Sequence, residues 1–187
     1  MSEPEYREIE LRPVSHVTVD AIGPPGKRVF YLQGVKGSQV VTLIIEKFQL
    51  QTLVIGIEQF LAEVRQRLPL LREASNQYDE VRMRIHPPVE PLFRVAEFGL
   101  SYDGETDLIG LVAREVPMPG SESDDDEDDD EEQVGTVVKL WATRDQVRAM
   151  VSWGMEIASR GRPLCEQCGQ PMDPEGHFCS RKNGHKY

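Results

Sequence analysis

Alternation of apolar and polar residues along the chain predicts six β-strands. Residues 16–22 (HVTVDAI) show the clearest period of two, which places every second side chain on the same face of a half-buried sheet. Five further segments rich in strand-forming residues follow: 28–35, 39–46, 93–102, 107–116 and 136–142. Short turns separate neighbouring segments, so we expect hairpins and an antiparallel sheet.

Two stripes of apolar residues at helical spacing predict two helices. The first covers residues 50–68 and stops before Pro69, which cannot continue a helix. The second covers residues 147–158 and follows a predicted capping box formed by Thr143 and Gln146.

The two halves of the chain show a weak internal similarity at an offset of 97 residues. The motif VVxL at residues 40–43 recurs at residues 137–140, and Gln49 has its counterpart in Gln146. Any two amphipathic strand–helix junctions share such residues, so a tandem β-β-β-α repeat stays one of two alternatives. Both predict an α+β domain with an antiparallel sheet of about six strands and two packed helices.

The chain is predicted to contain one α+β domain, residues 1–161, and a tail, residues 162–187. Residues 70–91 include three prolines and predict a loop, with a short alternating run at 81–85. Residues 121–133 hold ten acidic side chains, which repel one another and cannot form a core. We expect a disordered, solvated insertion there, in preference to a decoy for a basic partner surface.

Charge and composition exclude several classes of protein. The formal net charge is −11, but the acidic insertion accounts for nearly all of it, so the chain has no overall basic surface for nucleic acid. No apolar run reaches the roughly 18 residues that suggest a membrane span, and no secretory signal is recognisable. The three cysteines lie close together in the tail, and an odd number suits a reducing, cytoplasmic location.

The tail has the ligand spacing of a zinc knuckle. Cys165 and Cys168 are separated by two residues, so both sulfurs can reach one cation at ~2.3 Å. His177 and Cys179 are two positions apart, and in extended backbone such residues project to the same face. The sequence therefore predicts one structural Zn²⁺ per chain with four protein ligands.

Alternative interpretations of these residues fit less well. A redox Cys-x-x-Cys pair would open a helix within a strand–helix–strand unit, whereas this pair follows a helix. A disulfide would leave one of the three cysteines unpaired. His185 is a rival fourth ligand, but His177 is preferred because of its spacing from Cys179.

Several segments resemble a bacterial family of conserved hypothetical proteins, domain of unknown function 3090. They are GPPGKRVFYLQ, VVTLIIEKFQL, PPVEPLFRVAEFGLSYD and, most specifically, CGQPMDPEGHFCSRKNG. The resemblance supports His177 as the fourth ligand, while Glu166 and Ser180 stand where the family pattern has proline. Members of this family have no assigned activity. They are encoded near a histidine-phosphatase-like protein and a lipid-kinase-like protein, so the resemblance implies a pathway shared with these two.

Two other motifs are weaker. Asp103, Glu105 and Asp107 suggest calcium but lack the twelve-residue loop with its terminal Glu, so a charged hairpin turn is preferred. Residues 23–28 (GPPGKR) superficially suggest a phosphate loop, but the Gly-Lys-Ser/Thr ending is missing and a strand follows. An ordinary turn is predicted there.

The sequence predicts no reaction. His16 and His86 stand apart from each other and from any Ser, Cys or carboxylate arrangement that is typical of nucleophilic catalysis. The preferred hypothesis is a non-catalytic, zinc-containing adaptor that binds another protein and no membrane. The tail also carries basic residues, such as Arg181 and Lys182, so nucleic acid is kept as a second partner, less favoured than a protein. The alternative is an enzyme or enzyme subunit of a phosphate-related pathway, as the resemblance implies.

Overall fold

The computed structural model describes residues 7–115, 135–172, 177, 179 and 181. The acidic insertion predicted at 121–133 and the rival ligand His185 lie outside these residues. The elements in chain order are β1 (Arg7–Leu11), β2 (His16–Ile22), β3 (Val29–Lys36), β4 (Gln39–Ile45), α1 (Lys47–Arg67), β5 (Pro91–Asp103), β6 (Leu108–Glu115), β7 (Thr136–Thr143) and α2 (Arg144–Ser159).

The strands form one mixed sheet of seven strands in the order β1-β7-β6-β5-β4-β3-β2. The α+β class and the two helices are confirmed, but the prediction of a purely antiparallel sheet of about six strands is wrong. Two neighbouring pairs, β1–β7 and β4–β5, run parallel. Parallel pairing joins strands that are distant in the sequence, so hairpin signals cannot reveal it.

Strand β1 was missed because its sequence is mostly charged. Four of its five residues, Arg7 to Glu10, are exposed or half-buried, and Leu11 alone is fully buried. An edge strand with charged side chains is typical of sheets that avoid pairing with other molecules. A short segment of mostly charged residues gives no alternating apolar signal, so the sequence does not predict a strand there.

The sheet curls strongly around its core. A Cβ atom on Gly34 of β3 would lie 2.6 Å from a methyl group of Leu140 in β7, although these strands are four positions apart in the sheet. The segment between β1 and β2 also links β7 to β3. The Val14 amide donates to the Trp141 carbonyl of β7, and the Ser15 amide donates to the Val35 carbonyl of β3. Glycine at position 34 is what permits this approach.

Both helices pack against the inside of the curled sheet. Gly154 of α2 lies against Leu50 of α1 and Val19 of β2. A Cβ atom on Gly154 would lie 3.0 Å from a methyl group of each of them. Buried residues from all seven strands and both helices join in one hydrophobic core. Within the described residues, neither helix is long and apolar enough to cross a membrane.

Apart from β1, the two halves of the domain have the same order of elements, three strands followed by a helix. Each helix begins with a capping box, Glu46 with Gln49 in α1 and Thr143 with Gln146 in α2, as predicted for the second. Strands β4 and β7 start 97 residues apart, at Gln39 and Thr136. The two strand–helix junctions therefore correspond at the same offset of 97 residues as the sequence similarity.

Residues 68–90 contain turns and no regular element, and they pass along β2. The Thr18 hydroxyl donates to the Met83 carbonyl, and the Ile85 amide donates to the Asp20 carboxylate. The short edge element suggested at 81–85 is not a strand, because side chains of β2, and not its backbone, bind this segment. The loop thereby supplies hydrogen-bond partners to the buried side chains of Thr18 and Asp20.

Candidate metal centre

The tail begins directly after α2 and forms a tight knuckle. The Cys165 amide donates to the Gln170 carbonyl and the Gly169 amide to the Cys165 carbonyl, both at 2.8 Å. Gly169 has a φ of 72°, a left-handed conformation that glycine adopts without strain. Leu164 and Pro171 form an isolated antiparallel bridge at the base of the turn. The local sequence thus brings both cysteines of the Cys-x-x-Cys motif to one side.

The four predicted ligands lie together. The sulfurs of Cys165, Cys168 and Cys179 and a ring nitrogen of His177 all lie within 4.8 Å of one another. The Cys165 and Cys179 sulfurs are 3.9 Å apart, and the Cys168 sulfur is 3.2 Å from His177 Nε2. Among the residues that the structure describes, no other group of His, Cys, Asp or Glu side chains has metal-site geometry.

The distances fit a metal centre and not a disulfide. All three cysteines are free, and a disulfide would require sulfurs about 2.05 Å apart. A zinc ion ~2.3 Å from each sulfur in a tetrahedron holds two sulfurs about 3.8 Å apart. The sulfurs of Cys165 and Cys179 have nearly this separation, so the donors are spaced to surround one small cation.

Hydrogen bonds prepare one of the thiols for metal binding. Amides of Cys168 and Gln167 lower the pKa of Cys165 to about 6, so this side chain is mainly thiolate at neutral pH. The Gln170 amide lowers the pKa of Cys168, but burial and the neighbouring sulfurs outweigh it, and the net pKa is raised. A divalent cation would remove this conflict, because it stabilises all the thiolates together.

Burial of the donors is uneven. Cys165 and Cys179 are buried, whereas Cys168 and His177 are half-buried. The Nδ1 atom of His177 is buried and has no hydrogen-bond partner in the described part of the chain, while Nε2 points to Cys168. Nε2 is therefore the ring atom available to a metal ion.

The other motifs singled out in the sequence do not form ligand sites. Asp103 accepts hydrogen bonds from the Glu105 amide and the Thr106 hydroxyl, as in a capped hairpin turn. Asp107 accepts two hydrogen bonds from one edge of the buried Arg144 guanidinium, from Nε at 2.8 Å and from Nη2 at 3.1 Å. These carboxylates are directed to different partners, so they do not converge on a calcium ion.

Two residues that the sequence leaves isolated do meet in the structure. The rings of His16 and His86 are 5.5 Å apart, because the loop along β2 returns residue 86 to the sheet. Burial, and secondarily the neighbouring His86, lower the pKa of His16. In the tail, Arg181 donates to the Gln167 carbonyl, so this cation braces the knuckle.

Comparison with known proteins places the chain in a family. The model of the family described as "Protein of unknown function (DUF3090)" matches residues 9–179. This range contains the whole sheet apart from the first two residues of β1, both helices and all four candidate ligands. No curated protein and no solved structure matches the chain. The chain belongs to the DUF3090 family of proteins of unknown function, as the resemblance of its tail predicted.

Proposed function

We propose that Cys165, Cys168, His177 and Cys179 bind one structural zinc ion per chain. The observation that carries the proposal is the convergence of four soft or borderline donors within 4.8 Å. Three thiolates and one imidazole are typical ligands of Zn²⁺, whereas Ca²⁺ and Mg²⁺ require oxygen ligands. Four protein donors complete a tetrahedron, so the ion would stabilise the tail and would not hold a reacting water.

The burial pattern of the tail supports a structural role for the ion. From residue 162 onward, the only described residues that are buried are Cys165 and Cys179, which are both candidate ligands. Leu164, the largest aliphatic side chain of the knuckle, is 62% exposed. The described residues of the tail form no hydrophobic core, so on this proposal metal–ligand bonds supply most of its folding free energy.

Metal analysis of the purified chain tests the site. We expect about one zinc per chain in the wild type and none after Cys165→Ser with Cys168→Ser. His177→Ala should lose the metal, while the matched variant His185→Ala should keep it. Zinc retained in the double cysteine variant, or lost in His185→Ala alone, would contradict the proposed ligand set.

We further propose that the protein acts as a non-catalytic binding protein for another protein. Phe48, the second residue of α1, is 65% exposed, which is unusual for a large aromatic side chain. It borders a groove of about 330 Å³ between α1 and β5 that also contains Leu53, Phe98 and Leu100. An exposed apolar groove suits the apolar side chains of a protein partner.

Quantitative capture from the native host tests the adaptor role. Proteins that bind the wild type should be depleted from the Phe48→Ala sample and retained with Leu70→Ala, because Leu70 is fully exposed but does not border the groove. Capture should be repeated with the zinc-depleted protein. Equal recovery with Phe48→Ala and Leu70→Ala would contradict binding through this groove.

A further inference from the structure

A second cavity lies where the tail meets the body of the protein. Its volume is about 460 Å³, within the range of small-molecule sites. It is formed by the start of β3, the first residue of α1, the end of α2 and the base of the knuckle. Apolar contacts come from Phe30, Leu164 and Pro171. No signal along the sequence marks this cavity, because its walls come from four separate segments.

Three cations line the cavity, and no carboxylate does so among the described residues. They are Arg28, Lys47 and Arg162. Arg28 donates to the Ile157 carbonyl near the end of α2, and Arg162 also has an interaction within the chain. Like charges held in one cavity repel one another, so an anion between them would be strongly favoured.

Lys47 is the most informative of the three. Arg28 lies at the C-terminal end of α2, where the helix dipole attracts a cation. Lys47 is the first residue of α1, where the positive end of the α1 dipole disfavours a cation. The first turn of α1 contains no acidic residue. Helix electrostatics therefore explain Arg28 and do not explain Lys47.

Glycine residues leave space beside the cations. A Cβ atom on Gly161 would lie 3.4 Å from the Lys47 ammonium nitrogen, and a Cβ atom on Gly26 would lie 3.1 Å from Cδ of Arg162. Gly26 has a φ of 89°, which the turn before β3 requires, but Gly161 has no such constraint. A methyl group at position 161 would thus touch the Lys47 ammonium at an ordinary contact distance and occupy room that a ligand of Lys47 could use.

We propose that this cavity binds a small phosphate monoester whose ester group is apolar. A phosphate monoester carries a charge of about −1.5 to −2 at pH 7, which suits several cations better than the single charge of a carboxylate. The Arg28 guanidinium supplies a planar donor group and the Lys47 ammonium a point charge, a common combination in phosphate sites. The apolar group of the ligand would contact Phe30 and Leu164. The site is unrelated to a phosphate loop, since Arg28 and Lys47 come from different elements.

Calorimetry with phenyl phosphate tests the proposal on the full-length, zinc-loaded chain. At constant ionic strength, phenyl phosphate should bind at least tenfold more tightly than inorganic phosphate, and also than benzoate. Lys47→Met should weaken binding of phenyl phosphate at least tenfold. The matched variant Lys36→Met removes the same charge at the opposite end of β3 and should bind as the wild type does.

Gly161→Ala tests the space without changing a charge, and we expect weaker binding by severalfold with no change in thermal stability. Equal affinities for the three anions, or equal effects of Lys47→Met and Lys36→Met, would overturn the proposal.

Flotation of the protein with vesicles of phosphatidylcholine and phosphatidic acid distinguishes two sources of the phosphate. Binding of phenyl phosphate with no Lys47-dependent flotation supports a soluble ester, whereas Lys47-dependent flotation supports a lipid headgroup in the same site. Metal content, measured on each sample, reports separately on the zinc site.

Discussion

The described residues of the body, 7–115 and 135–159, differ from the described residues of the tail, from 162 onward, in how much of the chain is buried. In the body, all seven strands and both helices contribute buried apolar side chains to one core. In the described part of the tail, Cys165 and Cys179 alone are buried. Stability of the body is spread over many contacts, so one lost contact removes a small share. With the proposed ion bound, the tail would depend on four donors, so we expect loss of the ion to remove its structure entirely.

The largest expected effect is therefore that of zinc removal on the tail. Structural zinc contributes roughly 10–16 kcal/mol in small zinc-dependent folds, far more than about 25 residues can gain by burial. We expect a chelator to abolish amide protection in residues 162–181 and to leave most of the circular dichroism of the body unchanged. Hydrogen exchange with mass spectrometry measures both.

A cooperative loss of the whole fold on chelation would contradict separate stabilisation of body and tail, because it would show that the tail is part of the core. The cavity between body and tail offers an intermediate result. Protection lost as far as Arg28 and Phe30 but not in β5 would extend the metal-dependent region to the walls of that cavity.

The fold was predictable where its signals are local. Residues 16–22 alternate polar and apolar side chains as far as Ala21 and form β2 with the predicted bounds, and Thr143 with Gln146 forms the predicted capping box. Strand β1 and the parallel pairs were not predictable, because their partners are distant and β1 is charged. Periodicity reports which face of an element is buried, but it does not report which strand lies beside it.

The same difference separates the two candidate sites. The four candidate metal donors lie within fifteen residues, so their spacing predicted them, with the family resemblance favouring His177 over His185. Arg28, Lys47 and Arg162 come from three different elements or loops, and tertiary structure alone places them around one cavity. The buried Arg144 was missed for a related reason, since its partner Asp107 precedes it by 37 residues. Sites built by the fold require the structure.

In the body, the close approach of Gly34 and Leu140 gives the next largest effect. Gly34→Ala forces a methyl group into Leu140 and should destabilise the fold by ~1–3 kcal/mol. Leu140→Ala should cost ~2–5 kcal/mol, and the double variant less than the sum, because the new methyl fills part of the cavity. Urea unfolding measures each value. Gly56→Ala, in open space on α1, is the control and should stabilise by roughly 1 kcal/mol; additive effects at Gly34 and Leu140 would contradict the curled sheet.

A smaller effect is expected from the pH dependence of the β5–β6 turn. Hydrogen bonds from the Thr106 hydroxyl and the Glu105 amide, with help from Arg12, lower the pKa of Asp103 to about 2. A lowered pKa in the folded state stabilises the fold above the unfolded pKa of about 3.9, and this contribution is lost as the pH falls towards 2. The difference in unfolding free energy between the wild type and Asp103→Asn should therefore shrink between pH 5 and pH 2. A difference that stays constant over this range would show that the Asp103 charge does not matter.

The smallest effect is expected from the acidic insertion, which tests whether the body needs anything between β6 and β7. The ends of these strands are already joined, because the Thr136 amide donates to the Glu115 carboxylate at 2.9 Å and Arg114 pairs with Val137. Deleting residues 121–133 shortens the connection roughly threefold, which changes the entropy of loop closure by only about 1 kcal/mol. The free energy of unfolding should therefore stay within about 1 kcal/mol of the wild-type value, which thermal unfolding measures.

A variant of wild-type length with the ten acidic residues replaced by serine separates the effect of charge from that of length, and it should also match the wild type. If both variants lose stability together, the acidic side chains contact the body; if the deletion alone does so, the connection is too short to span the ends of β6 and β7.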